Sequence, residues 1–211
     1  MASKENGGLS PANIIVKMTF DFTFAIIGLL LTGWIILIAW IVSSIETKSN
    51  GFFIQKRIGQ RGKLFNIFKI KTMQDEKKSY KNITTSSDVR ITLSGAIFRS
   101  LKIDELPQLW NILLGQMSFV GPRPDVPGYA DQLFSDDKII LSVKPGITGP
   151  AQLKYKSEEN TLSRQDDPIK YNDEVIWPDK VKINVGYVKN YSFFRDMKYI
   201  FKTITGLNVK F

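Results

Sequence analysis

Asp104 and Glu105 are adjacent carboxylates in a stretch that also carries Arg90, Arg99, Lys102 and Arg123. An anionic catalyst and an anionic substrate can share such a place, because the cations offset the repulsion between them. A carboxylate among cations can attack phosphorus and form an acyl phosphate. Arginines and a hard divalent ion then neutralise charge on the equatorial and leaving oxygens. Mg2+ suits this set, since it needs only one or two carboxylates (here Asp104 and Glu105) and takes phosphate oxygens and water for the rest. The sequence has no Cys and His 0, so thiolate and imidazole chemistry are excluded. Taken alone, an Asp-Glu pair at a helix start is an ordinary capping device; its surroundings make it a catalytic candidate.

Several elements must position the pair. The run DELPQLWNILLG reads as a helix with Leu106, Leu109, Trp110 and Leu113 on one face and Gly115 as its stop. Pro107 is tolerated only in the first turn, which puts Asp104 and Glu105 at or just before the helix start, where the helix dipole favours carboxylates and phosphate oxygens. Upstream, AIFRSLKI also has helical spacing. Residues 118–150 are rich in Pro and Gly and read as ordered turns, with Arg123 held stiffly between Pro122 and Pro124 and one short helix near Tyr129 to Phe134. Residues 51–73 read as a β-hairpin, FFIQKRI and LFNIFKIKTM joined by a turn at Gly59 to Gly62. Residues 74–90 read as a polar loop, and 154–180 as charged and irregular. The C-terminal FFRDMKYIFKTI puts Phe194, Met197, Ile200, Phe201 and Ile204 on one side of a helix flanked by Arg195, Lys198 and Lys202, which fits either a membrane surface or a protein core.

Phe22 to Ile45 carries no charge over roughly 24 residues, enough to cross a bilayer core as a helix. It is too long for a signal-peptide core and is expected to be retained. Lys48, Lys56, Arg57, Arg61 and Lys63 follow it, placing the downstream part in the cytoplasm. A straight span and a broken, re-entrant helix both fit. Thr32 and Gly33 near its middle permit a bend. The chain is then divided into an anchoring region, 1–48, and a cytoplasmic domain, 49–211. The formal net charge of +9 over 211 residues favours phosphate-bearing partners without choosing among nucleotide, anionic lipid and nucleic acid. No Walker loop or dinucleotide fingerprint is present.

KMTFD before the apolar run, the hairpin sequence, DVRIT, FRSLKIDELPQLWNILLGQMSFVGPRP, VKPGITGPAQ and YVKNYSFFRDMKYIFKT run in one order over most of residues 17–205. Together they resemble the monotopic phosphoglycosyl transferases, bacterial sugar transferases that initiate glycan assembly on undecaprenyl phosphate; DELPQLWN followed by MSFVGPRP is the most specific part. The resemblance implies an α+β, mostly helical fold, with a re-entrant membrane helix, a compact cytoplasmic domain with a small β-hairpin, and amphipathic helices at the membrane surface. It implies attack of Asp104 on a UDP-sugar, release of UMP, and transfer of the phosphosugar to polyprenyl phosphate. Glu105 joins the dyad and helps hold Mg2+; Arg123, in its Pro122–Pro124 turn, contacts the nucleotide or its phosphate. Arg99, Lys71 and Asp196 match positions ringing the site, and Arg90 of DVRIT stands with the phosphate-binding residues. The family breaks its membrane helix at a Pro-containing pair where this chain has Thr32-Gly33. Membrane lipids are expected partners and nucleic acid is not; a homodimer is left open. The location implied is the bacterial inner membrane, with the domain facing the cytoplasm. Competing readings are a glycosyl transferase that releases UDP and a non-enzymatic, membrane-anchored lipid-binding protein.

Overall fold

The computed structural model describes residues 9–75 and 90–207. The sequence begins its first helix with Ser10, whose hydroxyl accepts from the Asn13 amide at 3.3 Å, and with Pro11 in the first turn. Helix α1 (Pro11–Thr47) has 37 residues, about 55 Å at 1.5 Å per residue. It is not split at Thr32-Gly33. The Thr32 hydroxyl donates to the Gly28 carbonyl at 2.7 Å, one turn back, and the helical hydrogen bonding runs on. A lone Gly costs only about 1 kcal/mol in a helix, too little to break so apolar a segment.

Helix α1 buries a narrow stripe consisting of Lys17, Asp21, Ala25, Ile36, Ala39 and Ser43. Its remaining faces are apolar and exposed, Leu30, Leu31, Trp34 and Ile45 among them. Both ends are docked on the rest of the chain. Near the start, Lys17 Nζ pairs with Asp196 at 2.5 Å, and the Phe119 amide donates to Asp21 Oδ1 at 3.1 Å. Near the end, the Ser43 hydroxyl donates to the Lys71 carbonyl at 2.5 Å, and the Ser94 amide to Glu46 Oε1 at 3.2 Å.

Strands β1 (Phe52–Ile58) and β2 (Leu64–Ile70) pair antiparallel, with Phe52 opposite Ile70 and Ile58 opposite Leu64. A 3-10 turn (Gln60–Gly62) joins them, with Arg61 and Gly62 in the left-handed region. Phe65 and Ile67 on one face of β2 pack with Ala25 of α1 and with Leu109, Ile112 and Met117. Beyond β2, Met73 bridges Ile91, and Thr92 caps helix α2 (Leu93–Ser100) by accepting from the Gly95 amide at 3.0 Å. The 74–90 loop anticipated from sequence falls for the most part outside the described residues.

A 3-10 turn (Ile103–Glu105) precedes helix α3 (Gln108–Leu113), whose N-cap is Pro107. The buried face of α3 is Gln108, Leu109, Asn111 and Ile112; Trp110, expected on the packed face, is 53% exposed. Gln108 and Asn111 share the inward face with Leu109 and Ile112, Asn111 because it hydrogen-bonds the Phe68 amide and the Asn66 carbonyl of β2. Strands β3 (Ser118–Val120) and β4 (Gly146–Thr148) form a parallel pair that the Pro-Gly content concealed. The short helix placed at Tyr129 to Phe134 is a 3-10 turn at Ala130–Gln132.

The stretch read as irregular is ordered: α4 (Pro150–Lys154), α5 (Glu158–Leu162), α6 (Pro168–Tyr171) and a π-helical turn (Asn172–Ile176) lead into α7 (Trp177–Lys189). Helix α8 (Phe193–Thr205) buries Asp196 and leaves Phe194, Phe201 and Ile204 exposed, so most of its apolar stripe is not spent on the core.

Candidate active site

Asp104 and Glu105 lie in the 3-10 turn between α2 and α3. Lys102 precedes them in the left-handed conformation, φ 59°, and turns the chain so that Asp104 points inward. Asp104 is 9% exposed, and its Oδ1 is buried with no hydrogen-bond partner among the described residues. Burial pushes the Asp104 carboxyl above its ordinary value, the negative charge of Glu105 adds to this, and Lys69, Lys102 and Arg99 oppose it.

Glu105 has the opposite balance. Burial alone would raise it, but Lys69, Arg123 and Lys102 outweigh burial and hold it well below the usual carboxylate range. The geometry agrees: Glu105 Oε1 accepts from Lys69 Nζ at 3.0 Å and from Arg123 Nη2 at 3.3 Å. Two adjacent carboxylates are thus driven apart, one kept ionised by cations and one left with a bare buried oxygen.

Local sequence explains the placement. Asn111, with no exposed surface, binds α3 to β2: its Oδ1 accepts from the Phe68 amide at 3.0 Å, and its Nδ2 donates to the Asn66 carbonyl at 2.7 Å. This sets Lys69 opposite Glu105. The Arg123 turn is fixed by close backbone approach. A Cβ on Gly121 would meet the Lys144 carbonyl at 2.4 Å, and one on Gly146 would meet the Gly121 nitrogen at 2.1 Å, so neither position admits a larger residue. Pro122 and Pro124 contribute carbonyls, accepting from the Gly146 amide at 2.8 Å and from Arg57 Nη1 at 3.2 Å. Next in sequence, burial raises Asp125 to about 6 against the pull of Lys180, Arg57 and Arg123.

The other residues singled out from sequence divide. Arg99 is ion-paired with Glu159 of α5, and its charge reaches Asp104. Lys71 binds Ser49 Oγ at 2.7 Å and Asp75 Oδ2 at 2.5 Å, at the end of the hairpin. Arg90 offers its carbonyl to the Gln74 amide at 3.0 Å. Asp196 does not join the group: it is 1% exposed, bound to Lys17 and to the Tyr187 hydroxyl at 2.9 Å, and joins α8 to α1. Sequence reading missed Lys69, Asn111 and Asp125. Lys69 left a signal, since it shares the strand parity of the inward Phe65 and Ile67.

The site also fits the expected ion. Among the described residues no group of three or more His, Cys, Asp or Glu occurs, so the protein does not supply a full cage. The bare oxygen of Asp104 beside Glu105 is what Mg2+ requires when phosphate oxygens and water complete its shell.

A polarised carboxylate pair thus lies among Lys69, Arg99, Lys102 and Arg123, on a domain docked along a helix long and apolar enough to cross a membrane. Residues 12–209 match the family model described as bacterial sugar transferase, and the chain belongs to that family. It is 39% identical over 191 residues to the uncharacterized sugar transferase EpsL of Bacillus subtilis, covering 90% of this chain and 86% of that protein. It is 34% identical to the UDP-glucose:undecaprenyl-phosphate glucose-1-phosphate transferase of Klebsiella pneumoniae, over 93% of this chain and 41% of that one. To the UDP-N-acetylgalactosamine-undecaprenyl-phosphate N-acetylgalactosaminephosphotransferase of Aeromonas hydrophila it is 30% identical, over 92% and 44%. The chain therefore spans less than half the length of these last two relatives.

Proposed function

We propose that this chain transfers a sugar 1-phosphate from a UDP-sugar to polyprenyl phosphate at the cytoplasmic face of the inner membrane, initiating assembly of a glycan. The observation that carries the reading is the buried, unpartnered Oδ1 of Asp104 beside a Glu105 whose charge Lys69 and Arg123 hold in place. Asp104 attacks the phosphorus that bears the sugar; the bond to the bridging oxygen breaks, and UMP leaves with the electron pair. An oxygen of the lipid phosphate then attacks the same phosphorus, and the bond between that phosphorus and the Asp104 carboxylate oxygen breaks, with the electron pair returning to the carboxylate. Glu105 keeps Lys69 and Arg123 aimed at the phosphoryl oxygens. Asp104 and Glu105 would hold Mg2+, which when bound neutralises charge on the phosphates.

The relatives' names support this donor and acceptor: those of Klebsiella pneumoniae and Aeromonas hydrophila join a UDP-sugar to undecaprenyl phosphate. For topology, Lys17, Asp21, Ser43 and Glu46 tether both ends of α1 to one domain, which favours a helix that stays with one face of the bilayer over a span that lifts one end away. The exposed apolar faces of α1 and α8 would meet the lipid. A cysteine introduced at Ala2 of this Cys-free chain is then shielded from periplasmic reagents; labelling from outside would establish a span.

The test of activity is a nucleotide-release screen over a panel of UDP-sugars with undecaprenyl phosphate and Mg2+. UMP is the expected product. Release of UDP would make the chain a glycosyl transferase, and release of neither with any donor would leave a lipid-binding protein.

A further inference from the structure

Around the dyad, most cations are already engaged. Lys69 and Arg123 are paired with Glu105, and Arg99 is paired with Glu159. Lys102 is different. Its side chain is exposed and makes no hydrogen bond or ion pair among the described residues, although its charge acts on both Asp104 and Glu105. It also occupies the left-handed region, φ 59° and ψ 20°, which is strained for any residue with a Cβ and which Gly would adopt freely. A lysine kept there, two residues from Asp104, combines local strain with a free ammonium.

Helix α2 leads directly to it. Leu93, Ile97 and Leu101 recur at every fourth position and are 85%, 56% and 65% exposed, forming an uncovered apolar row. The opposite face is pressed home, since a Cβ on Gly95 would meet the Thr72 carbonyl at 2.3 Å. From Leu93 to Lys102 the row is about 13 Å long. Its far end lies beside the C-terminal end of α1, where the Ser94 amide donates to Glu46 Oε1 at 3.2 Å. An apolar row that starts beside a membrane helix and stops at a free cation next to a carboxylate nucleophile matches one kind of molecule, an isoprenoid chain ending in phosphate.

We propose that Lys102 and the outer face of α2 form the acceptor subsite, Lys102 binding the phosphate of the lipid and Leu93, Ile97 and Leu101 carrying its isoprenoid chain. This rests on the transfer reaction proposed above. The phosphate held by Lys102 supplies the oxygen that forms the new bond to the sugar-bearing phosphorus, as the Asp104–phosphorus bond breaks.

The test uses the full chain in detergent micelles with Mg2+, a UDP-sugar that the wild type consumes, and either undecaprenyl phosphate or geranyl phosphate as acceptor. Lys102→Gln should raise the KM for both acceptors by about tenfold, the worth of one charge-assisted hydrogen bond, without moving the KM for the donor, and Lys102→Arg should recover most of the loss. Ile97→Ser with Leu101→Ser should raise the KM for undecaprenyl phosphate and barely change that for geranyl phosphate, which spans little of the row. An unchanged acceptor KM in Lys102→Gln, or a rise in donor KM as large as that for acceptor, overturns the subsite. If the serine variants lose only their attachment to vesicles and keep the undecaprenyl phosphate KM in micelles, the row is a general lipid contact and its assignment falls. A wild type that releases no UMP with any UDP-sugar removes the transfer reaction itself, and the subsite with it.

Discussion

At the scale of single residues, chemistry depends on an imbalance between neighbours. Asp104 is raised by burial and by Glu105, so it is ionised only above a pH higher than that of an ordinary aspartate. In the proposed reaction Asp104 must be ionised to attack. UMP release in the absence of acceptor should therefore fall as pH drops through a midpoint above the ordinary aspartate value of 3.8. Glu105→Gln removes a negative neighbour, and the acid limb of the reduced rate should move to lower pH. A limb that stays in place or moves upward in a stopped-flow pH series would show that Glu105 does not set the Asp104 titration.

Asp125 gives a stability effect of known sign. Burial raises its folded value to about 6, so the folded state is favoured at low pH, where the group is protonated, and loses that advantage as pH rises through 6. Asp125→Asn should then raise the melting temperature more at pH 8 than at pH 5, and an equal change at both would contradict the assigned burial. Adjacency made Asp104 and Glu105 candidates in the sequence, and the prolines on either side marked Arg123. Lys69 gains its role only when β2 folds against α3, and Asp125 only when the turn after Pro124 folds onto β1, where the Ile58 amide donates to its carbonyl.

At the scale of elements, the dyad is held by backbone contacts that its own side chains do not make. Asn111 closes three hydrogen bonds, to the Phe68 amide, the Asn66 carbonyl and Gln116 Oε1. Asn111→Ala leaves buried groups of β2 unsatisfied and should cost about 2–4 kcal/mol, with the melting temperature falling accordingly in a calorimetric scan. Gly146→Ala should cost about 1–3 kcal/mol by forcing the Arg123 turn off β4, and the donor KM should rise more than that of a control such as Gly33→Ala, which meets open space. Equal donor KM values in the two alanine variants would separate the Gly121–Gly146 approach from the placement of Arg123.

The hairpin was readable from the strand-like FFIQKRI, the alternating run after it and the glycines of their turn, although β2 stops at Ile70, short of the Met73 to which that run extended. The parallel pairing of β3 with β4 was not, because two three-residue strands in Pro-Gly-rich sequence carry no periodicity. Trp110 was grouped with Leu106, Leu109 and Leu113 by apolar spacing, whereas the inward face of α3 includes the polar Gln108 and Asn111, which apolar spacing does not reveal.

At the scale of the whole molecule, α1 is joined to α8 by a buried charge pair. Lys17 and Asp196 are 2.5 Å apart and almost fully enclosed. Removing one partner strands the other charge, so Asp196→Asn should destabilise the chain by about 3–5 kcal/mol, while Lys17→Met together with Asp196→Leu should recover much of the loss. Turnover should recover with stability in the double variant, measured in the same lipid nanodiscs. A double variant that is stable but inactive would return Asp196 to the chemistry that the resemblance assigned it.

The long apolar helix was legible from the uncharged length of Phe22 to Ile45. Its course was not, because Thr32-Gly33 permits a break without requiring one, and the tethers at Lys17, Asp21, Ser43 and Glu46 are made by residues distant in sequence.

The most direct measurement is the intact mass of the full chain incubated with Mg2+ and the UDP-sugar it consumes, with no lipid phosphate present. The mechanism predicts a mass increase of one phosphosugar together with release of UMP, both lost in Asp104→Asn. Release of UDP, or turnover on later addition of undecaprenyl phosphate without any covalent adduct having formed, would contradict nucleophilic attack by Asp104.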